Sequence, residues 1–344
     1  MARMPIAVIG AGLIGKTHVD RAFHHSEVAL TGIAEPSPAG RQLAQSLGVP
    51  WFAGYEELLD KAKPRGAVIA TPNATHADIA VKCLERGVAV VVEKPVADDV
   101  AQAKRICAAA EKSGQPALVG HQRRYNVIAR RAKELIATGK LGRPVCATVL
   151  CTWLKPPGYF DTAWRREAGG GPVLINLIHD IDLLRFLFGE VVEVQAFASN
   201  AVRGFVVEDT AAIVLRMGNG ALATITLSDT ATAPWNWDLA AGEAERFPRR
   251  EVDAFFLSGT EGSLTLPRLE FWNYRQGRGW EEPLSVERQV PKPACPYAEQ
   301  LRHFRALVEG KEPPVCSAAD ATRSLEATLA VRAAAASGRP VQLG

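Results

Sequence analysis

Residues 5–15 read Pro5-Ile6-Ala7-Val8-Ile9-Gly10-Ala11-Gly12-Leu13-Ile14-Gly15, and the residues after them, Lys16 to His25, are compatible with a helix. An apolar strand that runs into Gly-x-Gly-x-x-Gly and then into a helix is a dinucleotide-binding fingerprint. Glycines are needed because the chain turns tightly off the strand, the backbone approaches a pyrophosphate closely, and the helix packs hard on the sheet. The N–H groups of the first helical turn, at Leu13, Ile14 and Gly15, then face the phosphates with the positive end of the helix dipole behind them. Glu35 lies twenty residues beyond Gly15, at the end of a second apolar run, residues 28–34. Its carboxylate is placed to accept from a ribose 2′-OH, which favours NAD. Ser37 and Arg41 are the residues through which NADP stays possible.

The chain has 344 residues, 47% hydrophobic and 22% charged, with no apolar run approaching eighteen. These proportions fit a globular protein with two domains and exclude a disordered or membrane-spanning chain. Residues 1–5 leave no room for a signal peptide before the first strand, so the expected location is the cytoplasm. A formal net charge of +3, with no basic stripe interleaved with aromatics, argues against nucleic acid and for a small-molecule partner. The six cysteines, Cys83, Cys107, Cys146, Cys151, Cys295 and Cys316, are scattered without a C-x-x-C pair. Reduced thiols and no metal site are expected.

Beyond Glu35 the pattern alternates: helix 38–47, the short extended Trp51-Phe52, helix 56–62, strand 67–70, helix 76–86, strand 88–92, helix 98–112 and strand 116–119. Continuous apolar strands between amphipathic helices indicate a parallel sheet covered on both faces. Residues 1–122 are therefore read as a doubly wound α/β Rossmann domain. From 123 to 344 the pattern changes to α+β. After helix 127–138, segments 145–153, 191–199, 210–216, 221–228, 254–258 and 263–266 read as a large, mostly antiparallel sheet. Helix 171–188 interrupts them, helices 297–308 and 318–336 follow, and residues 231–250 read only as a surface loop or subunit contact.

Two strand ends put polar residues at the carboxyl edge of the parallel sheet, where doubly wound folds hold ligands. One is Ala70-Thr71-Pro72-Asn73-Ala74-Thr75-His76, in which Thr71, Pro72, Asn73 and His76 are candidate cofactor contacts. The other is Glu93-Lys94-Pro95, directly after Val90-Val91-Val92, with Glu93 and Lys94 as further candidates. A lysine here is a poor core residue, and the proline behind it restricts it to extended geometry. Such a lysine acts as a base only if burial or nearby cations bring its pKa to about 7–8. Arg123, Arg124 and Arg165 are the candidate cations.

Further on, Gly169-Gly170-Gly171-Pro172 leads into a strongly apolar segment carrying Asn176, His179 and Asp182. On a helix Asn176 and His179 share a face, and the three glycines are expected to let a ligand approach closely. Just before them, Trp153, Lys155, Tyr159, Trp164, Arg165 and Arg166 form an aromatic and basic stretch. Aromatic faces suit the C–H surfaces of sugars, and the cations suit a carboxylate.

Taken together, the glycine-rich start, Ala-Thr-Pro-Asn-x-x-His76, Glu93-Lys94-Pro95, the glycine-led His179-x-x-Asp182 and Ser258-Gly259-Thr260-Glu261-Gly262-Ser263-Leu264 resemble the glucose-fructose oxidoreductase/inositol dehydrogenase/MocA (Gfo/Idh/MocA) family. The resemblance runs from Pro5 to Ala336. It implies a Rossmann domain binding NAD or NADP, and a C-terminal α+β domain whose open sheet joins subunits into a homodimer or homotetramer. The implied activity is hydride transfer between nicotinamide and a secondary hydroxyl of a sugar, inositol, polyol or sugar acid. Lys94 matches the family's catalytic lysine and His179 its catalytic histidine. Four residues before His179, where many members carry an aspartate, this chain has Ile175, with Asn176 one place along. The proton relay then runs through Lys94 and His179 with neutral help, or uses Tyr125, Tyr159 or Asp182. Substrate contacts are expected among Arg124, Tyr125, Trp153, Lys155, Tyr159, Trp164, Arg165, Asn176 and His179. Two alternatives share the scaffold: an NAD-dependent glycoside-cleaving enzyme, and a non-catalytic cofactor-sensing regulator.

Overall fold

The apolar run that opens the chain is strand β1 (Met4–Ile9), and helix α1 (Leu13–His24) follows the glycine turn. The computed structural model, which describes residues 2–244 and 246–344, continues the alternation. Next come β2 (Val28–Ala34), α2 (Pro38–Leu47), β3 (Trp51–Phe52), α3 (Tyr55–Ala62), β4 (Gly66–Ile69), α4 (His76–Glu85), β5 (Ala89–Val92), α5 (Val100–Ser113) and β6 (Ala117–Val119). These strands form one parallel sheet in the order β3-β2-β1-β4-β5-β6. Every residue of β4, β5 and β6 is buried, as a sheet covered on both faces requires. Local chemistry sets the helix ends. Ser37 and Asp99 accept from the N–H groups of Gly40 and Gln102 to cap α2 and α5, and Gly48 and Gly114 end them in the left-handed conformation. The strand order reverses between β1 and β4, and the crevice beyond their carboxyl ends is the ligand position in this architecture.

The chain divides into two compact units, Met1–Tyr125 with Ala294–Leu325, and Asn126–Pro293 with Glu326–Gly344. The linear reading assigns everything after residue 123 to the second domain, whereas residues 294–325 return to the first. Packing explains the return. The helix Pro296–Val308 turns Leu301 and Phe304 into the core formed by Val8, Val68 and Leu118. Gly66 admits the ring, since a Cβ there would lie 2.5 Å from Phe304 Cε1. Arg124 Nη1 donates to Val315 O at 3.0 Å and to the Asp320 carboxylate. His303 Nε2 lies 2.8 Å from Pro313 O, so its Nδ1 takes the Tyr125 hydroxyl at 3.0 Å.

The second unit starts with α6 (Val127–Ala137), capped by Asn126. There follow β7 (Pro144–Thr152), a π turn over Val173–Leu177, α7 (Ile178–Phe188), β8 (Val191–Ser199), β9 (Thr210–Met217), β10 (Leu222–Ser228), α8 (Trp237–Ala241), β11 (Phe255–Gly259), β12 (Ser263–Leu266), β13 (Glu270–Tyr274), β14 (Leu284–Arg288) and β15 (Val341–Gln342). The sheet order is β14-β13-β12-β11-β7-β10-β9-β8-β15, antiparallel except where β10 pairs with β7. Burial alternates along β9 and β10, so one face carries the core and the other is open. The core face meets Leu183 and Leu187 of α7, together with Ala327 and Val331. On the open face, Phe197 (73% exposed), Val214 (48%) and Phe256 (38%) lie among threonines and alanines. Residues 231–250 are more than the loop expected from sequence. Trp237 is fully buried in the core and donates its Nε1–H to Glu243 Oε2 at 2.8 Å.

Candidate active site

In the first unit the three glycines have different tasks. Gly10 has φ +90°, and a Cβ on it would lie 2.5 Å from Ala70 O; one on Gly15 would lie 2.2 Å from Gly10 O. Those two satisfy the chain's own packing. Gly12 caps α1 with no heavy atom within 4 Å of a Cβ, which leaves space before the N–H groups of the first turn. Leu13 is exposed and Ile14 half-buried beside that space. Glu35 stitches the turn to β2: Oε2 accepts from Ala11 N–H at 2.7 Å and Oε1 from Ser37 N–H at 3.0 Å. Desolvation pushes the Glu35 carboxyl up, but those two donors and the Ser37 hydroxyl outweigh it and hold it below its ordinary value. Ser37 Oγ accepts from Gly40 N–H at 3.2 Å, and Arg41 lies 5.3 Å from the centre of the Trp51 ring. Both routes to a 2′-phosphate are thus engaged elsewhere. An ionised acid at the ribose end and open N–H groups at the phosphate end fit NAD.

At the end of β4, Thr71 and Asn73 are half-buried and Pro72 is exposed, with the Thr75 hydroxyl 2.7 Å from Thr71 Oγ1. His76 is turned inward. It is fully buried, with Nδ1 2.9 Å from Pro95 O and Nε2 2.9 Å from Thr71 O. Burial lowers its pKa against the opposing pull of those carbonyls, Glu93 and Asp98. A neutral ring donates to only one carbonyl at a time, and its place between them ties the ends of β4 and β5 together.

Glu93 is also turned inward. Its Oε1 lies 2.7 Å from His18 Nε2 and its Oε2 accepts from Lys94 N–H at 3.1 Å. Gly120 makes room, since a Cβ there would lie 2.8 Å from Glu93 Oε1. Burial raises the Glu93 carboxyl, while the His18 and Lys94 contacts outweigh that effect and hold it low. His18 is a residue the sequence reading passed over, although it sits one turn beyond Gly15 on the buried face of α1. Lys94 itself is half-buried at the carboxyl end of β5, ahead of a cis peptide to Pro95.

In the second unit two of the three glycines serve the protein's own packing, while Gly169, at φ +94°, has nothing within 4 Å of a Cβ. A Cβ on Gly170 would lie 2.1 Å from Trp164 O, and one on Gly171 would lie 2.3 Å from Glu208 Oε1. Glu208 Oε1 in turn accepts from Val173 N–H at 3.0 Å, at the start of the π turn, where a carboxylate complements the helix dipole. Asn176 and His179, both half-buried, follow. Lys155 is only 5% exposed; its Nζ donates to Asn176 Oδ1 at 2.7 Å and pairs with Asp229 Oδ2 at 3.3 Å. Burial lowers the Lys155 pKa, with Asp229 opposing. The Lys155 ammonium lies 4.8 Å from the centre of the Tyr159 ring, and the Arg165 guanidinium lies 4.0 Å from it. Arg165 also approaches Trp164, at 5.6 Å.

The structure therefore gathers Lys155, Tyr159, Trp164, Arg165 and Asn176, with His179 one turn along. Trp153 packs edge-on against Phe247, 5.4 Å between centres. Arg124 and Tyr125, in the first unit, are both buried and hold the returning segment 294–325. Asp229 and Arg203, which complete the lysine's surroundings, lie 74 and 48 residues from Lys155 in sequence and carry no local signal.

Residues 4–121 match GFO_IDH_MocA, the oxidoreductase family with an NAD-binding Rossmann fold, and residues 129–265 match the GFO/IDH/MocA C-terminal domain. The chain is 26% identical to the scyllo-inositol 2-dehydrogenase (NAD(+)) of Bacillus subtilis over 348 residues, covering 98% of this chain and 95% of that protein. It is 28% identical to the 1,5-anhydro-D-fructose reductase of Ensifer adhaerens over 347 residues, covering 96% and 98%. The WlbA dehydrogenase of Bordetella pertussis, solved with NADH and UDP-GlcNAcA, shares the fold with a TM-score of 0.80 at 23% identity, over 100% of this chain and 99% of that one. With both halves of the chain matched, the protein is an NAD(P)-dependent oxidoreductase and belongs to the Gfo/Idh/MocA family.

Proposed function

We propose that this protein is an NAD-dependent dehydrogenase acting on a secondary hydroxyl of an inositol, sugar, polyol or sugar acid. The observation that carries the reading is Lys94, held at the carboxyl end of β5 by its own N–H on Glu93 and by His76 on the carbonyl of Pro95. Bound NAD supplies the hydride acceptor. Lys94 Nζ takes the proton of the substrate hydroxyl during oxidation and returns it during reduction. His179 orients that hydroxyl or relays its proton. Asn176, fixed by Lys155 and one place along from Ile175, supplies neutral help. The inositol dehydrogenase and sugar reductase among the relatives support this substrate class.

Glu35 supports NAD over NADP, because a 2′-phosphate meets an ionised carboxylate at close range. The open face of the nine-stranded sheet, with Phe197, Val214 and Phe256 exposed, supports a homodimer or homotetramer through that sheet. The six free cysteines suit a reducing compartment such as the cytoplasm. Incubating the protein with NAD and a panel of inositols, sugars and sugar acids, and following absorbance of the reduced cofactor, tests the reading. NADH formation with any of them supports it, and none with all of them refutes it.

A further inference from the structure

We propose that the group formed by Lys155, Tyr159 and Arg165 selects a substrate that carries a carboxylate, so that the preferred alcohol is a sugar acid rather than a neutral sugar or inositol. The inference rests on the dehydrogenase reading above and narrows it.

The hydrogen-bonding inventory carries the argument. The acceptors in contact with Lys155 are already engaged by the protein. Asn176 Oδ1 holds Lys155 Nζ, Asp229 Oδ2 pairs with the same ammonium, and Asp229 Oδ1 holds Arg203 Nε at 3.2 Å. The main-chain oxygens of Lys155 and Asp229 take Arg203 Nη2, at 3.1 and 2.6 Å. Tyr159 O takes Arg165 Nη1 at 2.6 Å. Asp209, the next acid, gives Oδ2 to the N–H groups of Val202 and Arg203, and its Oδ1 is buried without a hydrogen-bond partner.

Beside Tyr159 and Asn176, apart from the phenol itself, the groups left open are donors. Arg165 Nε and Trp153 Nε1 are buried without a hydrogen-bond partner. With its oxygen turned to Lys155, Asn176 presents Nδ2, which only donates. A neutral sugar hydroxyl must donate as well as accept, and a lining of donors leaves its proton unpaired. A carboxylate only accepts.

Charge points the same way. Lys155 and Arg203 share one ion-paired carboxylate, Asp229, and the nearby Arg165 has no ion pair among the described residues. Arg246 adds further positive potential at the Tyr159 phenol. Asn176 links the group to His179, one helical turn (about 5.4 Å) further along, a distance spanned by one sugar ring. An acid group attached directly to the ring suits that reach.

The test compares D-glucuronate and D-galacturonate with glucose, galactose, myo-inositol and glucose 6-phosphate, all with NAD. Wild-type protein is expected to favour the uronates at least about tenfold in kcat/KM over their neutral parents. Arg165→Gln should collapse that ratio by roughly ten- to a hundredfold, through KM for the acids. Lys155→Gln, which can still hydrogen-bond to Asn176, is the second variant and should act in the same direction. A preference for the neutral compounds or the phosphate overturns the proposal, as does a variant that lowers acids and neutrals alike. If no compound is oxidised, the dehydrogenase reading fails. Calorimetric titration of the NAD-loaded protein with the uronates then decides the carboxylate claim by itself: Arg165-dependent binding upholds it, and no binding overturns it.

Discussion

His18 Nε2 on α1 and Glu93 Oε1 at the end of β5 meet at 2.7 Å, and both side chains are buried. The helix that follows the glycine turn is thereby joined to the residue that receives the main-chain N–H of Lys94. Removing one partner of a buried pair leaves the other without compensation, which costs about 3–5 kcal/mol. His18→Ala is expected to lose that much in urea unfolding. The double variant His18→Ala/Glu93→Ala should lose clearly less than the sum of the single losses. Additive losses would show that the contact is idle.

The same pair sets an acid limit. Because the carboxyl of Glu93 is depressed on folding, it stabilises the fold fully above its ordinary value of 4.5 and loses that contribution as pH falls through the lower folded value. Wild-type stability should therefore fall more steeply below pH 4.5 than that of Glu93→Gln. Denaturant midpoints measured from pH 7 to 3 check this, and parallel curves contradict it.

Lys94→Met removes the proposed acid/base group without altering the glycine turn. Turnover should fall by about 10²–10⁴-fold, while NAD affinity measured by fluorescence stays within about twofold, far less than the ~1.4 kcal/mol that a tenfold change represents. Full activity in this variant would remove Lys94 from the mechanism.

Gly40 lies against the stem of Glu35, and an added Cβ would sit 2.0 Å from Glu35 Cγ. Gly40→Ala must displace that carboxylate from Ala11, at an overpacking cost of about 1–3 kcal/mol. The dissociation constant for NAD should rise at least about fivefold, with kcat at saturating NAD retained. Unchanged affinity would separate Glu35 from the cofactor.

If the open sheet joins subunits, Phe197→Glu puts a charge in the middle of the contact. Sedimentation should show smaller species than the wild type forms at the same concentration. An unchanged distribution argues for another interface or a monomer.

Much of the parallel sheet and its glycine turn was legible because its signals are local: apolar runs, caps and spacings within one βα unit. The group around Lys155 was legible in composition, since Trp153, Lys155, Tyr159, Trp164 and Arg165 are close in sequence. The internal partners of Arg124 and Tyr125 were not legible because Asp320 and His303 lie 196 and 178 residues away. The carbonyl neighbours of His76 were hidden for a different reason: a histidine at a strand end looks the same in sequence whether it faces a ligand or a buried carbonyl. Of the triple glycine, two positions make a close approach to the protein itself, to Glu208 and the backbone of Trp164, neither of which sequence spacing reveals. Strands β13 and β14 were missed because residues 270–288 mix aromatic, charged and glycine residues and have no clean two-residue alternation.

Phe304 in the slot above Gly66 has a consequence for how the molecule is made and cut. The first unit lacks that ring until residue 304 has left the ribosome, and the second awaits Ala327 to Ala334. The two units are interleaved along the chain, so no single cleavage releases either as a finished half. A fragment ending at Tyr125 would carry the whole nucleotide fingerprint over an incomplete core. Losing a buried phenylalanine alone costs about 3–5 kcal/mol, a large part of an ordinary domain's stability.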